Sequence, residues 1–430
     1  MTSKKKKIAH IIFEVTKFHK YMGLFTRNKS NKKPIIKQIL ELIPNSILQS
    51  SIAKHKSDKF CSKYKTYDQL VSQMFGQLNK CLTLSDISTA IAVNTTFIGD
   101  LGLQQSPARS TMSDGNAKRS WKVFETMYYK LLSHYSNLLL RHGKAMDIEE
   151  IKGKVIKIID STTISLCLSL FEWAKFRTAK GGIKIHTCLD HALMLPDLVN
   201  IGEAAVHDKR GHPQTVFAPG TIIVEDKGYF DFSLMMQRIN ADNVFVTRIK
   251  DNTVYESICE KELPVDKDQH ILKDELIRLT GKKAIEVGID QVTLRRIVVY
   301  DSEKDVQLEI ITQELRWAAS TIAALYKARW DVEIFFKQLK QNLLVKTFTG
   351  TSENAVKSQI YIALITYLLL ELIKRCIAKG AQAFSNLCEK IRFCLTYYHS
   401  LDYVCNQIKE GAVKARGKPN KPNCQKSFNF

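Results

Sequence analysis

Paired cysteines are absent from this sequence. Its 430 residues include ten cysteines, yet none form a Cys-x2-Cys pair and no Cys/His cluster has the spacing of a zinc site. Scattered cysteines in a chain of this length are typical of thiols in a reducing compartment. The pattern argues against a zinc-binding module or a disulfide framework and favours an intracellular protein.

Long hydrophobic runs are also lacking. The most apolar stretch, IYIALITYLLLELI at 360–373, is shorter than the roughly 20 residues that a transmembrane helix needs, and it contains Glu371. The opening residues, MTSKKKK, are basic but no apolar segment of a signal peptide follows them. We therefore expect a cytoplasmic protein without a membrane partner, in which 360–373 is a buried core helix.

Acidic residues are scarce at the start of the chain. Residues 1–65 hold sixteen Lys or Arg but three Asp or Glu, and the whole chain has a net charge of +21. Such an excess favours a polyanionic partner: nucleic acid first, an anionic membrane surface second, with a merely basic soluble protein as the alternative. We predict a basic arm at 1–30 and a basic C-terminal tail at 401–430.

The N-terminal third reads as helical. Residues 31–145 carry apolar residues at helical spacing, divided by tight turns, with a break predicted at Gly115. Basic side chains at Arg109, Lys118, Arg119 and Lys122 make this region similar to a helix-turn-helix DNA-binding domain; a plain helical bundle is the alternative.

After Gly143 the pattern changes to strands mixed with helices, which predicts an α/β core over 150–250 and 316–400. Residues 251–315 alternate like antiparallel strands, including KAIEVGID at 283–290, and form a predicted β-rich insertion. An apolar content of 45% is enough for a large core in two or three domains.

Two aspartates are predicted to end apolar strands, Asp160 after KVIKII and Asp226 after GTIIVE. Carboxylates at the carboxyl edge of an open α/β sheet lie where such sheets place their sites, although Asp also begins ordinary turns. Glu225 is the alternative to Asp226. His207 and Asp208 end the third strand pattern, in AAVHDKRGH, and either face the same site or cap a turn.

A third acid lies in YKARWDVEIFFKQLK, residues 326–340, which predicts one helix. Its spacing places Tyr326, Arg329, Glu333 and Lys340 in one stripe along the border of the apolar face, with Lys327, Asp331 and Gln338 on the solvated back. A single i,i+4 pair of Arg329 with Glu333 would explain part of this pattern. The full set of four is better explained by a site.

Three converging carboxylates would repel one another unless cations lay between them. A ligand set made of oxygen alone suits Mg²⁺, or Mn²⁺ as the alternative, and disfavours zinc. Two such ions about 4 Å apart can stabilise the attacking and leaving oxygens of a phosphodiester displacement.

The motifs IIDSTT, VEDKGYFD and YKARWDVEIFFKQLK resemble those of DDE transposases of bacterial insertion sequences. The match is closest to the insertion-sequence-four family, whose signature Tyr-x2-Arg-x3-Glu-x6-Lys is met at all four positions. The resemblance covers about 150–380, and QILELIPNSILQSSIAKHKSDK resembles the N-terminal domain of some relatives. Lys227 differs from the family pattern, because many relatives carry Arg at that position.

This resemblance implies an RNase H-like catalytic core, interrupted by the β-rich insertion before the last catalytic helix and preceded by the all-α domain. Asp160, Asp226 and Glu333 would be catalytic and would bind two Mg²⁺, which activate water and then a 3′-OH. Tyr326, Arg329 and Lys340 would hold DNA phosphates. Arg248, at a strand end, either contacts DNA or neutralises the acids.

Relatives excise through a DNA hairpin with a flipped base on an aromatic side chain; Tyr255, Tyr300 and Trp330 are the candidates here. By analogy the partners are double-stranded DNA and a second protomer, in the cytoplasm of a bacterium at the nucleoid. Two alternatives remain, a metal-dependent nuclease on the same fold and a catalytically silent DNA-binding protein.

Overall fold

The structure, a computed structural model, describes residues 31–408 except 167–170, 172, 178–179, 204–215, 264–269, 303, 346 and 379–381. The predicted arm at 1–30, residues 409–430 of the predicted tail, and the candidates His207 and Asp208 lie outside the described residues. The remaining chain is a mixed α/β protein with a large sheet and a helical N-terminal region, as the sequence predicts.

The N-terminal region consists of helices, which pack against the C-terminal helices as well as each other. In chain order they are α1 (Ile35–Leu40), α2 (Asn45–His55), α3 (Thr66–Leu78), α4 (Leu84–Ala92), α5 (Thr95–Leu101), α6 (Arg109–Lys118) and α7 (Lys122–Arg141). Their apolar faces are buried; Phe75, Met127 and Tyr128, for example, are at most 1% exposed. Burial of these faces stabilises the helices, most of which are too short to form alone.

The break predicted at Gly115 is wrong, because α6 runs through it to Lys118. A Cβ atom at Gly115 would lie 2.5 Å from Cδ1 of Tyr64, which is closer than packed atoms approach. The glycine therefore lets the Tyr64 ring pack against the helix, and it does not end the helix. The true interruption is at Arg119, whose extended backbone separates α6 from α7.

The described strands form one ten-stranded sheet. They are β1 (Ile156–Leu166), β2 (Lys175–Arg177), β3 (Lys180–Asp190), β4 (Leu195–Glu203), β5 (Ile222–Glu225), β6 (Val244–Arg248), β7 (Tyr255–Glu260), β8 (Ile271–Leu279), β9 (Leu294–Asp301) and β10 (Val306–Thr312). The order is β2-β3-β1-β5-β6-β10-β9-β8-β7, and β4 also pairs with β3.

The centre of the sheet is parallel. β5 pairs in parallel with β1 on one side and with β6 on the other, whereas β3 and β4 continue from β1 as an antiparallel meander. Every residue of β5 is buried, which explains its continuous apolar sequence. The helix α8 (Phe232–Asn240) connects β5 to β6.

The region 251–315 is rich in strands, and it extends the central sheet because β10 pairs with β6. Residues 283–290 do not form the predicted strand. They form helix α9 (Lys282–Val287) followed by a short 3₁₀ turn, and Gly288 ends the helix at φ +81°. The sequence pattern does not predict β7 and β8.

The C-terminal helices are α10 (Ala319–Lys327), α11 (Trp330–Asn342), α12 (Glu353–Cys376) and α13 (Phe384–Cys394). The single helix predicted across 319–345 is thus two helices. The N–H of Arg329 donates to the carbonyl of Tyr326 at 3.1 Å, and Asp331 donates to Ala328 at 3.0 Å, so the junction is a tight i→i+3 turn.

Helix α12 is long and apolar enough to cross a membrane by length and composition, but 94% of its most apolar window is buried inside the protein. It packs against α3, α6 and α7 of the N-terminal region and against α11 and α13. The prediction of a buried core helix is confirmed.

Candidate active site

The sheet brings Asp160 and Asp226 to the same level. Ile159 of β1 pairs with Glu225 of β5 in the last parallel pair, so the next residue on each strand is one of the two aspartates. Asp226 follows β5 as predicted. Asp160 does not end its strand, because β1 continues to Leu166 through its pairing with β3. It lies instead where the parallel neighbour β5 ends.

Arg248 lies at the same edge of the sheet. β5 and β6 are paired in parallel with Val224 beside Val246, and this register carries the end of β6 to the level of Asp226. The side chain of Arg248 is close enough to Tyr326 to influence its ionisation. Burial raises the pKa of Tyr326 to about 12, while Arg329 and Arg248 oppose that rise.

One guanidinium contacts all three predicted acids. From the turn between α10 and α11, Arg329 places Nη2 2.7 Å from Oε1 of Glu333, Nη1 3.3 Å from Oδ2 of Asp160, and Nε 3.7 Å from Oδ1 of Asp226. Its side chain is 12% exposed. The structure therefore brings the three carboxylates together, with a cation between them, although they are 66 and 107 residues apart along the chain.

The acids influence one another. Burial raises the pKa of Asp160 to about 6, and the charges of Asp226 and Glu333 add to the rise, against the N–H of Ser161 and the guanidinium of Arg329. The backbone N–H of Ser161 donates to Asp160 Oδ1 at 2.7 Å. A second nearby cation would stabilise the charged form of such a buried carboxylate with acidic neighbours.

Basic side chains line the groove beside the acids. A cleft of about 410 Å³ lies between β1 and α11, lined by Asp160, Ser161, Thr162, Glu333, Phe336, Lys337, Lys340 and Gln341. Lys340 donates from Nζ to the Thr162 hydroxyl and, at 3.3 Å, to the carbonyl of Thr163. The acids thus adjoin a basic surface that an anionic chain can follow.

Lys337 is a member of this cleft that is not among the predicted site residues. It is exposed and follows Glu333 by one helical turn, and Lys340 follows by about two turns. The spacing 333, 337 and 340 places the three on one helix face, so the i, i+4, i+7 pattern could have identified it.

Asp331 is buried and does not lie on a solvated back as predicted. Its carboxylate accepts from Lys144 Nζ at 2.6 and 2.8 Å, and Nδ1 of His191 lies 2.9 Å from its Oδ2. Lys144 follows α7 and His191 follows β3. The start of α11 is therefore tied to two other elements, which no local sequence pattern indicates.

Glu225 and Asp226 have different surroundings. Glu225 is 4% exposed and pairs with the buried Arg238 of α8 at 3.1 Å, whereas the Asp226 side chain is 36% exposed and faces Arg329. Adjacent strand residues point to opposite faces of the sheet. The geometry favours Asp226 as the member of the site.

The three candidate aromatic residues occupy different places. Trp330 begins α11 and is 37% exposed, with Lys304 Nζ 3.1 Å from its ring centroid. Tyr300 donates to Asp305 at 2.7 Å, and Tyr255 lies under the guanidinium of Arg296 at 5.4 Å. Trp330 is next to Arg329, so it lies at the acidic cluster.

The donor set suits a hard divalent cation, because it consists of carboxylate oxygens. As the side chains stand, no group of three His, Cys, Asp or Glu in the described part of the chain is placed to hold a metal ion. At the site, the Arg329 guanidinium lies between the three carboxylates. A metal ion would share these oxygens with Arg329 or displace it.

Two family models match the chain. The model described as "Transposase DDE domain" matches residues 151–369, which include the three acids, and "Domain of unknown function (DUF4372)" matches residues 31–104.

Curated relatives also match the chain. A putative transposase, y4zB of Sinorhizobium fredii, is 30% identical over 272 residues, covering 63% of this chain and 72% of the relative. A probable transposase for insertion sequence element IS5377 of Geobacillus stearothermophilus is 30% identical over 220 residues, covering 50% and 56%. A putative transposase for insertion sequence element IS4SA of Synechocystis is 26% identical over 297 residues, covering 66% and 76%.

Among solved structures, the piggyBac transposase synaptic complex with hairpin DNA aligns with 90% of this chain and 85% of that chain. The identity is 10% and the TM-score 0.40, which does not establish a common fold.

Proposed function

The chain belongs to the DDE transposase family of insertion-sequence elements, and from this premise we propose that it cuts DNA phosphodiesters at transposon ends and joins the resulting 3′-OH ends to target DNA. The observation that carries the proposal is the contact of one guanidinium with Asp160, Asp226 and Glu333 beside a basic cleft.

The topology supports an RNase H-like core. The strands β4-β3-β1-β5-β6 form an antiparallel meander followed by two strands parallel to β1, with acids at the level where β5 ends. The strands β7 to β10 then separate this unit from α11, which carries Glu333. Membership of the insertion-sequence-four branch is supported by Tyr326, Arg329, Glu333 and Lys340 at the signature spacing.

Asp160, Asp226 and Glu333 are the residues that would hold divalent ions, Mg²⁺ or Mn²⁺. Two ions held there supply Lewis-acid stabilisation of the attacking and leaving oxygens. The carboxylates supply the oxygen donors, and the burial of Asp160 favours binding of a cation because it is costly to leave that charge uncompensated.

The basic side chains have a separate role. Lys340 and Lys337 line the cleft beside the acids, so we assign them to DNA phosphates entering the site. Arg329, Tyr326 and Arg248 would hold the phosphate nearest the scissile bond. Trp330, exposed beside Arg329, is the best placed of the three aromatic residues to stack on an unpaired base.

We further propose that two protomers assemble on DNA, because each reaction requires two ends, and that the protein acts at the nucleoid in the bacterial cytoplasm. The test of function is a supercoiled plasmid that carries both ends of the element, incubated with the full chain and Mg²⁺. Joined products support a transposase, nicking alone a nuclease, and a mobility shift without cleavage a silent DNA-binding protein.

The variant Glu333→Gln identifies the site in the same assay. It keeps the size of the side chain but removes the charge, so cleavage should be lost while DNA binding persists. Binding should fall steeply with salt, because several phosphate contacts release counterions. Cleavage by Glu333→Gln, or binding that is insensitive to salt, would contradict the assignment.

A further inference from the structure

The loop between α2 and α3 exposes an aromatic side chain on a basic surface. Phe60 is 93% exposed, more than any other large apolar residue in the part of the chain that the structure describes. Around it, Lys54, Lys56, Lys59, Lys63 and Lys65 are all exposed. We refer to residues 54–65, the end of α2 and the loop that follows it, as the Phe60 loop.

The charge of the Phe60 loop is directed outward. Its one acid, Asp58, accepts from the backbone N–H and the hydroxyl of Thr66, both at 2.6 Å, at the start of α3. Within the described residues, Lys54, Lys56, Lys59 and Lys63 form no ion pair. The lysines are therefore available to a polyanion.

The basic surface extends to α7. Burial and the charges of Lys54, Lys122 and Lys130 lower the pKa of His55, against a rise due to Glu125. His55 is bonded to Thr126 of α7 at 2.7 Å, and Lys130 of α7 donates to the Ser50 hydroxyl of α2 at 2.8 Å, so the basic side chains of the two helices adjoin. A phosphate backbone could follow this surface from the loop to α7.

The Phe60 loop is held in one shape. The buried Arg119 donates to the carbonyl of Ser57 at 3.2 Å and to that of Tyr64 at 2.5 Å. Tyr64 is itself packed against Gly115. Phe60 has φ +62°, a conformation that residues with a side chain rarely adopt, and the surrounding contacts maintain it.

From these observations we propose that the Phe60 loop is a DNA-contacting element of the N-terminal region. The lysines bind phosphates, and Phe60 makes apolar contact with a base at a step that it partly opens, as wedge residues do. Lys59 Nζ lies 4.8 Å from the centroid of the ring, and the Phe60 side chain remains 93% exposed, so the ring is accessible for stacking. The proposal rests on the proposed function, because it takes transposon-end DNA as the ligand.

The salt dependence of binding distinguishes the phosphate contacts of the lysines from the stacking contact of Phe60. Binding of the full chain to a fluorescein-labelled duplex from the end of the element is measured by anisotropy, without divalent ions so that cleavage does not occur. Phe60→Ala should weaken binding about tenfold with an unchanged salt slope, because a stacking contact releases no counterions. Lys59→Ala with Lys63→Ala should lower the slope by about two.

Matched controls lie elsewhere on the surface. Phe393 of α13 is 66% exposed beside Arg392, and Lys282 with Lys283 begins α9. Phe393→Ala and the double change Lys282→Ala with Lys283→Ala should leave affinity and salt slope unchanged. Phe60→Trp should retain affinity, which separates the loss of stacking from a loss of folding.

The outcomes distinguish the two proposals. If the unaltered chain binds and cleaves the duplex but the loop variants bind equally well, the loop assignment is wrong and the proposed function stands. If the unaltered chain binds no duplex, both are wrong. If Phe60→Ala changes only binding to vesicles of phosphatidylserine and phosphatidylcholine, the loop is a membrane contact and the proposal is overturned.

Discussion

Nδ1 of His191 lies 2.9 Å from Oδ2 of Asp331, in a position where both side chains are almost completely buried. His191 follows β3, and Asp331 is two residues before Glu333 in α11. This contact fixes the start of the helix that carries Glu333 against the hairpin of the central sheet. Lys144 reaches the same carboxylate from the surface, and its side chain is 48% exposed.

We predict that His191→Ala lowers stability more than Lys144→Ala does. His191→Ala removes a buried neighbour of the desolvated carboxylate, which keeps its bonds from Lys144, and leaves a cavity; together these cost about 2 kcal/mol. The exposed lysine is screened by solvent and should contribute less than about 1 kcal/mol. Thermal unfolding of both variants measures the difference.

The control for the imidazole is His270→Ala, because His270 is exposed at the start of β8. It should melt like the unaltered chain. Equal losses for His191→Ala and Lys144→Ala would show that burial does not determine the strength of this network.

We predict opposite effects for the adjacent acids Glu225 and Asp226. Asp226→Asn should abolish DNA cleavage with little change in melting temperature, because the side chain is partly exposed at the site. Glu225→Gln should lower the melting temperature, because it breaks a buried pair with Arg238, and it should leave cleavage intact well below that temperature. Cleavage by Asp226→Asn at the normal rate would remove Asp226 from the site.

The sequence predicts the fold class and the three acids because these depend on local patterns and specific motifs. Apolar strands, helical spacing and the order of the elements identify the α/β core, and the spacing of Tyr326, Arg329, Glu333 and Lys340 selects the residues around the site. The alternation of residues 292–301 and 306–315 likewise predicts β9 and β10.

The remaining features depend on partners far apart in the chain. Asp160 lies within a longer strand because β3 pairs beyond the end of β5, which β1 alone does not indicate. Asp331 is buried because Lys144 and His191 meet it. Gly115 lies inside a helix because Tyr64 packs against it. In each case tertiary contacts override the structure that the local sequence pattern predicts.

We predict that the ion pairs of Glu275 stabilise the strand-rich region at neutral pH and that this stabilisation is lost in acid. Glu275 is 1% exposed and pairs with Arg296 and Lys273. Burial would raise its pKa, but bonds from Lys273, Ser257 and Arg296 hold it below the usual 4.5. The unfolded state therefore takes up a proton before the folded state does, and this stabilisation is lost as pH falls from 4.5 through the folded pKa.

The measurement is urea unfolding of the unaltered chain and of Glu275→Gln at several pH values. At neutral pH the variant should be less stable by about 3 kcal/mol, as expected when one partner of a buried pair is removed. The difference should shrink as the pH falls below 4.5. Glu286→Gln, at an exposed position of α9, should show no such dependence, and a constant difference for Glu275→Gln would contradict the ion-pair account.

We predict that Arg329→Gln makes the stability of the protein depend more strongly on divalent ions. In the unaltered chain the guanidinium compensates Asp160, Asp226 and Glu333 at 3.3, 3.7 and 2.7 Å. Without it, the carboxylates repel one another, so the variant should melt at a lower temperature in EDTA. Added Mg²⁺ should then raise its melting temperature more than that of the unaltered chain, because ligand binding to the folded state stabilises by mass action. Lys327→Gln, which removes an exposed cation two residues earlier, is the matched control and should respond to Mg²⁺ as the unaltered chain does. An equal Mg²⁺ response in Arg329→Gln and the unaltered chain would mean that the guanidinium and the ion do not share the three carboxylates.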